Sequence, residues 1–398
     1  MISIKGKAAE AEIFTDNIEE SALRWVSELC DHPAMEGMKV VQMPDVHSGT
    51  ECNVGTAYRI GRYVNPDHVG GDIGCTISMH RLSGRVKPED FSLLDHRIRE
   101  AIPTGAEICV KNSLNEKELF RYLNTQYQKA RSAAPEMIND ASRIDSRFIA
   151  DFCRRVKLQE GIFYKSLGTL GGGNHFIEYG EDSRNGDGWL TIHCGSRNVG
   201  VKVAGHWHNI AQNPRRAQYR GYLWDESLAG YLSDMVVAQA YALYNHHVIR
   251  DRIAAIVKKL CSAKFVESIF TTHNYISVAS ETPILRKGAI DASEGRKVAI
   301  PLNMRDGIAL CIGKGNERWL ESAPHGAGRV MSRNQARKQI AMEDFERAME
   351  EIYSTSVCES TLDESPMAYK PSDEILGLIA PTVEVVAMVR PKLSIKDR

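Results

Sequence analysis

Thr382-Val383-Glu384-Val385-Val386-Ala387-Met388-Val389 reads as a strand, because β-branched residues dominate it and no helical period runs through it. Its place in the chain decides the fold class. Before it lie two helical patterns, one from Leu228 to Leu260 and one from about Asn334 to Ile352. In the first, Leu232, Met235, Val236, Ala240, Leu243 and Tyr244 form an apolar stripe. A third helix is expected from Asn115 to about Ala134, where Leu119, Tyr122, Leu123, Tyr127 and Ala130 recur at three- and four-residue spacing. The first hundred residues and the stretch 160–204 instead hold short runs rich in Gly, Val, Ile and Thr, such as 38–43 and Trp189-Leu190-Thr191-Ile192-His193. Strands at both ends and in the middle, with helices grouped between them, predict α+β with mixed sheets and peripheral helices rather than regular βαβ alternation. No repeat, low-complexity tract or Pro/Gly/Ser linker divides the chain, so residues 1–398 are read as a single domain.

With 43% hydrophobic and 25% charged residues, the 398-residue chain is not disordered throughout. Lys and Arg total 50 against 51 Asp and Glu, a net charge of −1, so a polyanion would need a local patch. No apolar run approaches the length of a membrane span, and residues 1–12 do not read as a signal peptide. The nine cysteines show no C-x-x-C pairing, which predicts a reduced, cytoplasmic protein.

Four segments combine glycine with chemically able side chains: Val69-Gly70-Gly71-Asp72-Ile73-Gly74-Cys75, Gly168-Thr169-Leu170-Gly171-Gly172-Gly173-Asn174-His175-Phe176-Ile177-Glu178, His193-Cys194-Gly195-Ser196-Arg197 and Pro324-His325-Gly326-Ala327-Gly328-Arg329. One such segment is as readily a tight turn as a site; four together favour a site. Asp72 and Cys75, with His175, His193 and His273, make a donor set suited to Zn, Mn, Fe or Co rather than Mg or Ca. A thiolate can bridge, so five ligands would serve two ions. His68, Asp45 with His47, His206 with His208, and His246 with His247 rank lower. Residues 206 and 208 would share a strand face without a carboxylate, the 246–247 pair sits mid-helix, and Asp45 and His47 follow a proline as turn or supporting residues.

No familiar nucleotide motif is complete. Gly307 with Gly313-Lys314-Gly315 is one residue too long for a P-loop and lacks the following Ser or Thr. Met304-Arg305-Asp306-Gly307 has methionine where a lysine-nucleophile ligase needs lysine. His325 is the remaining candidate: Gly326-Ala327-Gly328 offers exposed backbone N–H groups for phosphate, and Arg329 and Arg333 would share a face if a helix begins there.

These segments, in this order, resemble the RtcB-type RNA-splicing ligases. The likeness runs from Met43-Pro44-Asp45-Val46-His47 through the four segments above, His273-Asn274-Tyr275, Arg286-Lys287-Gly288-Ala289, the continuation to Arg333 and Met367-Ala368-Tyr369-Lys370, to the C-terminal lysine region. It implies joining of RNA 2′,3′-cyclic phosphate or 3′-phosphate ends to 5′-hydroxyl ends, with GTP and two Mn(II) ions. Asp72, Cys75 and His175 would hold one ion and Cys75, His193 and His273 the other. His325 would be the nucleophile that carries GMP. Asn174, His175, Phe176, Ile177, Glu178, His273, Asn274, Pro301, Met304, Gly326, Ala327, Gly328, Tyr369 and Lys396 would surround the nucleotide. Arg197, Arg329 and Arg333 would grip RNA phosphates. Broken RNA, such as tRNA halves or another cleaved structured RNA, is the implied partner, with an accessory activator protein beside it.

The chain departs from the family in one place. Where the family reads Pro-Gly-Ser-Met-Gly and has a serine four residues after the methionine, this chain reads Pro301-Leu302-Asn303-Met304-Arg305, with Ile308 at the serine position. Ile308 cannot donate a hydrogen bond to guanine, so GTP affinity is the property at stake, and a divergent, repair-type branch is implied. Two alternatives remain: a metal-dependent RNA-end phosphodiesterase or phosphatase, and a non-catalytic RNA-end-binding paralogue. His325 and the five donors weigh against both.

Overall fold

The tail strand expected at 382–389 runs from Val383 to Ile395 and lies inside a seven-stranded antiparallel sheet. In the computed structural model, which describes residues 1–110, 115–141, 143–215, 217–278 and 282–398, the sheet order is Lys297–Asn303, Gly307–Gly313, Val383–Ile395, Phe176–Asp182, Gly188–Cys194, Thr76–Leu82 and Phe265–Thr272. The first half of Val383–Ile395 pairs with Gly307–Gly313 and the second half with Phe176–Asp182. The register shifts just after Pro391, which has no N–H to give to the ladder. The α+β class stands.

A six-stranded sheet runs Ile2–Lys5, Glu10–Ile13, Lys39–His47, Val54–Arg59, Ile284–Lys287 and Tyr275–Ile276, and it is mixed: only Glu10–Ile13 and Lys39–His47 are parallel. A two-stranded ladder, Ala289–Asp291 with Ser322–Pro324, follows directly on the strand Ile284–Lys287.

The helix expected at 115–134 forms over Glu116–Ala133, with the Asn115 side chain accepting from the Glu118 N–H. The 228–260 pattern forms one 37-residue helix, Asp225–Cys261. Its residues Tyr231–Ala238 are all buried, so here it is enclosed on every side rather than along one stripe. No helix among the described residues is long and apolar enough to cross a membrane.

Two expectations are corrected. The single helix from 334 to 352 is two short ones, Arg333–Gln339 and Met342–Ala348. Ile340 and Ala341 between them are extended, which turns Phe345 into a separate apolar cluster with Met304 and Met349. His206 and His208 lie on the helix Asn198–Ala211, not on a strand. There Val199, Val203, Trp207 and Ala211, four apart, bury one face, and the helical period wins.

Candidate active site

Antiparallel pairing gathers the metal-type donors at one end of the seven-stranded sheet. Cys75 immediately precedes Thr76–Leu82, His175 precedes Phe176–Asp182, His193 is the penultimate residue of Gly188–Cys194, and His273 follows Phe265–Thr272. Thr76 pairs with both Cys194 and Thr272, and Phe176 pairs with His193, so four strand ends converge. Asp72 reaches them from the turn before Cys75. The ligand atoms of Cys75, His193 and His273 lie within 4.8 Å of one another, and so do those of Asp72, Cys75 and His175. Cys75 belongs to both triads, with its Sγ 3.2 Å from His193 Nε2 and 3.5 Å from His175 Nε2.

This donor set suits borderline divalent ions. Burial and neighbouring imidazoles lower the pKa of His193 and His273, which keeps both neutral and able to ligate. Burial opposes ionisation of Asp72, but hydrogen bonding to His175 and Cys75 holds its carboxyl below the usual range. Without an ion, burial and Asp72 push the Cys75 thiol up; a bound cation reverses that preference. His193 Nδ1 is 3.0 Å from the Asn174 carbonyl, and donation there turns Nε2 toward Cys75.

His325 follows the strand Ser322–Pro324, and its ring centroid is 4.9 Å from that of His273. Its Nδ1 is 2.8 Å from Asp45 Oδ2. Asp45 is fully buried in the strand Lys39–His47, so the contact joins the two sheet systems. Gly328 makes the close approach possible: its φ is +76°, and a Cβ there would fall 2.2 Å from the Asp45 carbonyl oxygen. Lys370 fixes the same strand from below, donating to the carbonyls of Pro44 and Val46 at 2.9 and 3.1 Å. Gly326, Ala327 and Gly328 are buried rather than exposed, because this turn packs against the Asp45 strand, although all three border the cavity.

That cavity, about 350 Å³, opens beside His325 and the metal-type cluster. Among the residues expected around a nucleotide, Asn174, Phe176, Glu178, His273, Asn274, Pro301, Met304, Tyr369 and Lys396 line it. His175 does not, and Ile177, on the opposite face of its strand, is buried in a core cluster with Leu190 and Leu393. Burial raises the Glu178 carboxyl to about 8, partly offset by Lys396. Its Oε1 has no hydrogen-bond partner. Lys396 Nζ lies 5.5 Å from the Phe176 ring centroid and 3.2 Å from Glu364 Oε2.

The arginines are differently placed. Arg333 is the first residue of its helix and Arg329 lies before it, so they share no helical face. Both nevertheless converge on buried acids: Arg333 Nη1 is 2.6 Å from Asp363 Oδ2 and 2.5 Å from Glu364 Oε1, and Arg329 Nη1 is 3.6 Å from Glu364. Burial opposes ionisation of Glu364, but Lys396, Arg333 and Arg329 bring its carboxyl down to about 2. Arg197, with φ +54°, donates to Thr169 Oγ1 at 3.1 Å and the Gly105 carbonyl at 2.5 Å.

Asp45 ranks higher in the structure than in the sequence, and Lys370, Asp363, Glu364 and Ser394 were assigned no role there. Met43–His47 and Met367–Lys370, quoted for their family likeness, are the segments that carried a signal for Asp45 and Lys370. Among the lower-ranked histidines, His246 bridges Ser78 Oγ and the Cys194 carbonyl, and His68 meets the Tyr58 hydroxyl; both are core residues.

Residues 28–397 match the sequence model of the family described as tRNA-splicing ligase RtcB. The chain is 28% identical to the RNA-splicing ligase RtcB of Escherichia coli (strain K12), with 90% of each chain covered. It is 26% identical to the tRNA-splicing ligase RtcB of Nanoarchaeum equitans (strain Kin4-M), with 90% of this chain and 88% of the relative covered. The tRNA-splicing ligase RtcB of Aeropyrum pernix is also 26% identical, over 88% of this chain and 86% of its own.

Proposed function

The chain belongs to the RtcB family, and on that premise we propose that it is a GTP-dependent RNA ligase joining 2′,3′-cyclic phosphate or 3′-phosphate ends to 5′-hydroxyl ends. The observation that carries the reading is the placement of His325: Nδ1 held by Asp45, and the ring beside a cluster of metal-type donors in a cavity. A buried carboxylate accepting from Nδ1–H leaves the Nε2 lone pair free to attack.

In the proposed sequence, His325 Nε2 attacks the α-phosphorus of GTP. An N–P bond forms, and the bond to pyrophosphate breaks. An oxygen of the RNA 3′-phosphate then takes the GMP, freeing the histidine. The 5′-hydroxyl oxygen attacks the activated 3′-phosphorus, a phosphodiester forms and GMP leaves, the hydroxyl proton passing to solvent. A cyclic phosphate is first opened by water. Two Mn(II) ions, held by Asp72, Cys75 and His175 and by Cys75, His193 and His273, would neutralise phosphate charge and activate that water. Phe176 offers a face for stacking, Glu178 an acceptor edge for guanine, and Lys396 and Tyr369 polar contacts on the cavity wall. Arg197, Arg329 and Arg333 would take RNA phosphates, the last two exchanging them for part of their contact with Asp363 and Glu364. The whole chain would act as one catalytic unit in the cytoplasm, on cleaved structured RNA such as tRNA halves.

The test is ligation of a 5′-hydroxyl RNA to one ending in a 2′,3′-cyclic phosphate, with Mn(II) and GTP. A joined product that needs GTP supports the reading. Removal of the terminal phosphate without joining favours a phosphodiesterase or phosphatase, and RNA binding without any chemistry favours an end-binding paralogue. Joining that appears only after a cell extract is added points to an accessory activator.

A further inference from the structure

Ser394 sits in register with Glu178 across the pairing of Val383–Ile395 with Phe176–Asp182. Directly opposed residues of an antiparallel pair point to the same face, within side-chain reach. Both border the His325 cavity. Ser394 is 1% exposed and Glu178 is 4% exposed, and neither the Ser394 hydroxyl nor Glu178 Oε1 has a hydrogen-bond partner. The backbone of Ser394 is fully engaged, its N–H on the Tyr353 carbonyl and its carbonyl accepting from Ser354 Oγ at 2.7 Å. Only the side chain is left over. Buried polar atoms without partners are uncommon, and two on facing residues beside a cavity call for a ligand that satisfies both.

The chemistry narrows that ligand. Guanine presents N1–H and a 2-amino group side by side; adenine has an acceptor at N1 and no 2-amino group. A serine hydroxyl can donate to the Glu178 carboxylate while accepting from the amino group. Ile308, at the position where the family carries a serine, is buried among Ile77, Met79, Trp189 and Val389 and gives the cavity wall no hydroxyl. Ile308 offers no hydroxyl, and Ser394 offers one on the neighbouring strand.

We propose that Ser394 is a second base-reading residue of this cavity, its hydroxyl accepting from the guanine 2-amino group beside Glu178. The proposal rests on the reading of the cavity as a GTP site. Inosine triphosphate keeps N1–H and lacks the 2-amino group, so it isolates the contact. The experiment measures half-saturation of covalent labelling by GTP, ITP and ATP in wild type and Ser394→Ala, with calorimetric binding of GMP and IMP alongside. Ser394→Ala should weaken GTP and GMP by about two- to tenfold and leave ITP and IMP nearly unchanged. The ITP arm controls for folding. Equal weakening of GTP and ITP, or weakening of neither, overturns the role of Ser394. A wild type that does not prefer GTP to ATP overturns the guanine reading itself, a result distinct from a GTP preference that survives the substitution.

Discussion

Asp45 Oδ2 lies 2.8 Å from His325 Nδ1, across 280 residues of sequence and between two sheet systems. A carboxylate on Nδ1–H fixes the ring and its tautomer, so that the free lone pair is on Nε2. Asp45→Asn should retain the packing and lose that tautomer control. The rate of nucleotide labelling at His325 should fall about 10²-fold or more, while metal content stays at the wild-type level. A variant that labels within twofold of wild type would show that Asp45 does not position the nucleophile.

Cys75 and Cys194 make a matched pair of tests, since both are buried and both adjoin the histidine cluster. Cys75 belongs to both donor triads, whereas Cys194 Sγ faces the Leu170 carbonyl at 2.9 Å and Asn245 Nδ2 at 3.1 Å. Cys75→Ser should sharply lower bound Mn by elemental analysis of the purified protein, and Cys194→Ser should not. Equal metal content in the two variants would remove the bridging assignment.

Ile308→Ser places the family hydroxyl at a site that is 1% exposed and belongs to an apolar cluster with Ile77, Met79, Trp189 and Val389. The substitution should cost about 2–4 kcal/mol of stability, seen as a lower Tm. Labelling by GTP should nevertheless tighten more than labelling by ATP. Unchanged Tm would show that the packing around Ile308 contributes little to stability, and equal tightening of both nucleotides would show that Ile308 does not face the base as its place on the cavity wall implies.

On the proposed reading, Glu178 gives guanine binding a pH dependence. Burial lifts its carboxyl from 4.5 to about 8, with Lys396 opposing, so in the empty cavity the group is mostly protonated at neutral pH. Accepting from N1–H and the 2-amino group requires the carboxylate, so binding expels a proton. GMP affinity by calorimetry should rise with pH, by up to about tenfold per unit, and level off above about pH 8. Glu178→Gln should weaken binding and flatten the profile. For folding the sign is opposite: the native state holds a proton that the unfolded chain releases, so this stabilisation is complete below about 4.5 and lost as pH rises through about 8. A wild-type binding profile that is flat between about pH 6 and 8 would contradict this account.

Sequence reading reached the cluster of metal-type donors because each donor carries a local signature, glycine beside Asp, Cys or His at the end of a strand. It also reached the α+β class, because strand-type runs return after long helical patterns. Asp45 was undervalued because a tight side-chain contact between residues 45 and 325 leaves no mark on spacing. Ser394 was invisible, since a serine in an apolar tail strand reads as an ordinary alternation partner, and its meaning comes from register with Glu178. The misread helix after Arg333 and the misassigned strand at His206 share a cause. Periodicity shows which face is apolar but not where a buried residue such as Phe345 or Trp207 finds its neighbours.

The proposed ligation depends on His325 becoming covalently bonded to GMP. Incubation with α-labelled GTP and Mn(II), followed by denaturing electrophoresis and peptide mapping, tests it directly. An acid-labile, relatively base-stable adduct is expected that maps to His325, is lost in His325→Ala and disappears on addition of RNA bearing a 3′-phosphate. No adduct in the wild type, or the same adduct in His325→Ala, would contradict it.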